Sequence, residues 1–132
     1  MSIYAKKASQ VFREEKHTSP FSKRSNFEEA FPAINTVKVI VNETNLMPTL
    51  DDDFKSGTTV YDKTHISEYH DCHCPECYNG GVSIGDILRR MVSNNETTSE
   101  VKAHCQGKGK KSYGTCTHMF DISASITYKP IN

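Results

Sequence analysis

The sequence predicts an α+β domain, a small antiparallel sheet with one packed helix, stapled by a structural zinc site. Three observations lead there. Phe120, Ile122, Ala124, Ile126 and Tyr128 alternate with polar residues, while Ile84, Ile87, Leu88, Met91 and Val92 recur at helical spacing. Five cysteines fall in a chain of 132 residues that has only 36% hydrophobic content and no tryptophan, so the core is small and needs reinforcement.

Taken in chain order, residues 1–32 read as a flexible basic arm. The first 27 residues carry a net charge of +4, show no sustained period, and are broken at Ser19-Pro20, with Phe31-Pro32 as a second break. The packed domain is expected over 33–132. Val37, Val39 and Val41 alternate with Lys38, Ile40 and Asn42, which predicts a strand over 36–42. Residues 42–55, with Pro48 and the run Asp51-Asp52-Asp53, read as a solvated acidic loop, and Thr58–Tyr61 as a second, short strand. After the cysteine cluster, Gly80-Gly81 marks a turn. Ser83 then suits a helix N-cap with Asp86 three residues on, and Asn94-Asn95 stops the helix. Its apolar stripe faces the core, and Asp86, Arg89 and Arg90 face solvent. Strands over 100–105 and 116–128 follow, joined by the long hairpin loop Gln106–Thr115, and Pro130 ends the last strand.

The chemistry lies in the cysteines. Cys74-Pro75-Glu76-Cys77 is a C-x-x-C unit whose tight turn lets two sulfurs reach one ion, and Cys105 and Cys116 flank the base of the hairpin loop. Cys74, Cys77, Cys105 and Cys116 are therefore the expected zinc ligands. Cys72, His70, His73, His104 and His118 crowd the same positions, and any of them can replace one of the four. The order of the C-P-x-C unit, Gly-Gly, helix and two further cysteines resembles that of zinc ribbons and knuckles over residues 70–118, a likeness that carries no particular activity.

Function is narrowed more by exclusion than by motif. The H-x-E and P-C-x-x-C of a zinc deaminase, the H-E-x-x-H of a zinc protease and the glycine fingerprints of phosphate binders are all missing. Net charge is zero, with −7 over residues 28–77 set against the basic ends, which argues against strong non-specific nucleic-acid binding. The expected function is a non-enzymatic, zinc-binding interaction adaptor, cytoplasmic, with an unidentified protein partner and no membrane attachment. The alternative is a nucleic-acid-binding zinc protein using Lys108, Lys110, Lys111 and Tyr113 of the hairpin loop with Arg89 and Arg90 of the helix. A thiol oxidoreductase built on the C-P-E-C unit comes third.

Overall fold

The structure is a computed structural model that describes residues 27–50, 52–75, 80–105, 107 and 116–130. Residues 1–26 of the expected arm lie outside the described residues, as do Cys77, Lys108, Lys110, Lys111 and Tyr113.

The chain runs through α1 (Phe27–Ala30), β1 (Ile34–Asn45), β2 (Ser56–Asp62), β3 (Tyr69–Asp71), β4 (Gly81–Ser83), α2 (Ile84–Ser93), β5 (Thr98–His104) and β6 (His118–Tyr128). Four strands form one antiparallel sheet in the order β2-β1-β6-β5. The two longest strands are central, paired with Val37 opposite Ile126, Val39 opposite Ala124 and Val41 opposite Ile122. Because a strand turns every second side chain to the same face, these six residues make one apolar surface and all are buried. Lys38, Asn42, Asp121 and Ser125 occupy the opposite, solvent-facing surface.

Helix α2 supplies the other half of the core, with Ile84, Leu88 and Met91 completely buried and Ile87 nearly so. Its ends follow the sequence signals. The Ser83 hydroxyl accepts the Asp86 N–H at 3.1 Å, and at the far end the Asn94 N–H donates to the Arg90 carbonyl while Asn95 takes φ 54°.

Four features differ from expectation. Strand β1 continues to Asn45 rather than stopping at residue 42, and its inward residues past Val41 are Glu43 and Asn45, both buried. Alternation of burial persists where alternation of hydrophobicity ends. A two-stranded ribbon, β3 with β4, was not foreseen, since three-residue strands show no period. It depends on Gly81, which has φ 137° and lies so close to the His70 carbonyl that a side chain would collide with it. The packed region also begins before residue 33: Phe27 and Phe31, one helical turn apart with ring centroids at 5.3 Å, are buried in the core. Arg89, expected to face only solvent, instead places its guanidinium on the carboxylate of buried Glu68. The Glu68 carbonyl accepts the N–H groups of Ile84 and Gly85, so residue 68 closes the helix N-terminus.

Candidate metal centre

At one end of the sheet the inner face changes from apolar to polar. Glu43 stands opposite Phe120 and Asn45 opposite His118, and above them pass the segment after β3 and the base of the β5–β6 hairpin. The hairpin holds its two cysteines by backbone bonds, from Cys105 N–H to the His118 carbonyl at 3.0 Å and from Cys116 N–H to the Gly107 carbonyl at 2.9 Å. Cys72 and Cys74 arrive from the opposite side, one and three residues beyond β3. All four are buried.

The sulfurs of Cys72, Cys105 and Cys116 lie within 4.8 Å of one another, and that of Cys74 lies within the same distance of Cys116 Sγ and a ring nitrogen of His118. Cys72 Sγ and Cys116 Sγ are 3.6 Å apart, far beyond a disulfide bond of about 2.05 Å. A zinc ion with bonds of about 2.3 Å to tetrahedral sulfurs would hold them about 3.8 Å apart. Two N–H···S bonds, from Cys74 N to Cys72 Sγ and from Gly107 N to Cys105 Sγ, each at 3.4 Å, favour the thiolate form that a metal requires. The donor chemistry thus fits zinc.

Beside the sulfurs lies a buried polar chain. Glu43, only 2% exposed, is its hub. Its Oε2 accepts from His118 Nδ1 and from the His73 backbone N–H at 2.9 Å, and its Oε1 faces His70 Nε2 at 3.2 Å and His73 Nδ1 at 2.7 Å. Beyond these, His118 Nε2 meets Asp52 Oδ2 at 2.8 Å, and His70 Nδ1 meets the Tyr61 hydroxyl at 2.7 Å. Phe54 stacks on both His73 and His118, at centroid distances of 5.0 and 5.3 Å, and fixes their ring planes.

Charge follows from this geometry. Burial pushes the Glu43 carboxyl up, but hydrogen bonds from His118, His70 and His73 outweigh it and hold the group far below the usual carboxylate range. Burial pushes His118 down, yet its bonds to Glu43 and Asp52 bring it up to about 9, so its ring is an imidazolium between two carboxylates at neutral pH. Burial, then the Glu43 charge, raises Tyr61 to about 12, which keeps its hydroxyl protonated.

Of the expected ligands, Cys116 lies within ligand distance of both Cys105 and Cys74, each in its own group, and Cys77 lies outside the described residues. Cys72, a named alternative, is at the centre of the cluster, and His70, His73 and His118 border it. His104 does not: it is exposed at the end of β5. The acidic run also departs from its expected solvated state, because Asp52 is buried against His118. Glu43 and Tyr61 belong to no motif in the sequence. Inward parity with Val37, Val39 and Val41 is the signal that could have identified Glu43. In the proposed nucleic-acid surface, only Arg89 and Arg90 are described, and both are engaged, Arg89 with Glu68 and Arg90 with the Ser99 hydroxyl at 2.9 Å.

Among the described residues no helix is long and apolar enough to cross a membrane. No protein-family model, curated protein or solved structure matches the chain.

Proposed function

We propose that this chain is a non-catalytic interaction module whose fold is closed by one zinc ion on Cys72, Cys74, Cys105 and Cys116. The observation that carries the reading is the convergence of buried sulfurs from two segments far apart in sequence, at a spacing close to that of a tetrahedral thiolate site. An ion there ties the β3 segment to the β5–β6 hairpin, a crosslink suited to a chain with so small a core. Both ring nitrogens of His118, which lies beside Cys74 and Cys116, are taken by carboxylates, and this supports a structural role. Burial of Cys72 and Cys74 likewise disfavours thiol exchange.

The interaction role draws on the β1–β2 loop. Leu46, Met47 and Leu50 are exposed there, Leu50 fully, while the Asn45 side chain pins the loop base through the Phe54 carbonyl at 2.9 Å, the Met47 N–H at 3.1 Å and the Thr117 hydroxyl at 2.6 Å. Three large apolar side chains offered to solvent on an anchored loop suit contact with a protein partner.

Differential alkylation tests the ligand set. In the zinc-loaded protein one thiol of the five, Cys77, should react quickly, and chelation should expose all five together with loss of the near-ultraviolet circular dichroism. Protection of Cys77 with modification of Cys72 would return the set to Cys74, Cys77, Cys105 and Cys116. Protection that survives complete chelation would sink the structural-zinc reading. Replacing Leu46, Met47 and Leu50 by serine should leave metal content and thermal stability unchanged, and a large destabilisation would make them core rather than contact residues.

A further inference from the structure

We infer that Glu43, His70 and His73 form a second metal site, separate from the sulfur cluster, for a divalent transition ion of the zinc class. The three donor atoms, Glu43 Oε1, a ring nitrogen of His70 and one of His73, lie within 4.8 Å of one another. The spacing between Oε1 and the two facing nitrogens, 3.2 Å to His70 Nε2 and 2.7 Å to His73 Nδ1, approaches the roughly 3.3 Å separation of ligands around an ion bound at about 2.0–2.1 Å. Two imidazoles and one carboxylate are the donor set of open zinc and iron sites.

Each donor is held from behind, as metal ligands are. The far nitrogen of His70 faces the Tyr61 hydroxyl, so when an ion displaces the proton that Nε2 shares with Glu43 Oε1, Nδ1 can carry the ring proton and Nε2 becomes the ligand lone pair. Glu43 divides its oxygens: Oε2 is fixed by His118 Nδ1 and the His73 backbone N–H, while Oε1 is turned to the two imidazoles. His118 in turn is anchored by Asp52, so the carboxylate rests on a braced partner. The His73 ring is oriented by stacking on Phe54.

Electrostatics point the same way. Oε1 of the buried Glu43 meets two imidazole nitrogens, so a divalent cation can take the place of the protons between them. The entrance is on the His73 side. That side chain is 49% exposed whereas Glu43 and His70 are buried, so an ion held there keeps a coordination position toward solvent, unlike the closed sulfur site.

Titration of the reduced, metal-depleted full chain with Co2+ followed by Zn2+ competition reads the two sites independently, because cobalt bound to thiolate gives an intense sulfur-to-metal charge-transfer band and cobalt bound to nitrogen and oxygen does not. Two equivalents are expected, one with the band and one without. His73→Ala, a change at a half-exposed ring that spares the packed interior, should weaken the band-free equivalent more than about 10-fold and leave the other intact. Glu43→Gln should do the same, and His104→Ala, a change at an exposed ring, should change neither. A single equivalent with the band, or two equivalents unaffected by His73→Ala, overturns the second site. A single equivalent without the band that is lost in His73→Ala upholds it and overturns the thiolate site instead.

Discussion

Replacing Glu43 by Gln tests whether the polar end of the sheet is held together by one carboxylate. The substitution preserves shape but turns one of the two oxygens into an N–H donor. With no ion at Oε1, each oxygen receives two N–H groups, so whichever is lost, two donors are left facing a third. An amide at the Oε1 side strands His70 Nε2, which is buried, and His73 Nδ1, which water can reach. An amide at the Oε2 side strands the His73 backbone N–H and removes the counter-charge of His118. One orphaned buried donor costs about 1–3 kcal/mol, and breaking a buried ion pair about 3–5 kcal/mol. The cheaper orientation still loses the full negative charge beside His118, so a destabilisation of about 2–4 kcal/mol is expected. Against a total stability of roughly 5–15 kcal/mol that is a large fraction. Urea unfolding at pH 7, followed by far-ultraviolet circular dichroism with one equivalent of zinc, enough for the sulfur site alone, should show a lower midpoint with an unchanged slope. Lys38→Gln, on the same strand but facing solvent, should move stability by less than about 0.5 kcal/mol. Equal effects from the two substitutions would refute the hub.

Four other outcomes follow from single contacts. Leu88→Ala, at a completely buried position on the inner face of α2, should cost about 2–5 kcal/mol in the same unfolding assay. Arg89→Ala should cost about 1–3 kcal/mol, since it takes the guanidinium from buried Glu68, while Arg90→Ala, losing only an exposed bond to Ser99, should cost less than about 0.5 kcal/mol; equal values would mean the Glu68 pairing contributes nothing. Gly85→Ala should destabilise, against the usual gain of about 1 kcal/mol for that change in a helix, because its methyl group would occupy the place of the Glu68 carboxylate; a rise in midpoint would contradict that packing. Glu28 is held down at about 2 by Lys129 and Lys63, below its ordinary 4.5. The stability it contributes is therefore present above pH 4.5 and fades as pH falls toward 2, so the gap between the unfolding midpoints of the parent and Glu28→Gln should close over that window.

Much of the secondary structure was legible because it is local. The Val37–Val41 and Phe120–Tyr128 alternations and the Ile84–Val92 stripe each state which side of an element is apolar, and the Ser83 and Asn94 caps act within one turn of the helix. A cysteine-rich hairpin base was also legible, since Cys105 and Cys116 flank a single loop. What tertiary structure alone decided is the polar end of the sheet. Glu43, Asp52 and Tyr61 come from three separate stretches, and of the three only Glu43, in phase with Val37, Val39 and Val41, carries a local sign of facing inward. Glu43 and Asp52 are buried and Tyr61 half-buried because His70, His73 and His118 are brought to them by strand pairing and by the β3–β4 ribbon, whose three-residue strands leave no period to read. Periodicity reports hydrophobicity, and a buried charge satisfied by distant partners is hydrophilic by composition and interior by geometry. The same holds for Cys72 over its neighbours: a spacing pattern counts residues along the chain, whereas a sulfur cluster is chosen by where β3 and the hairpin place their ends.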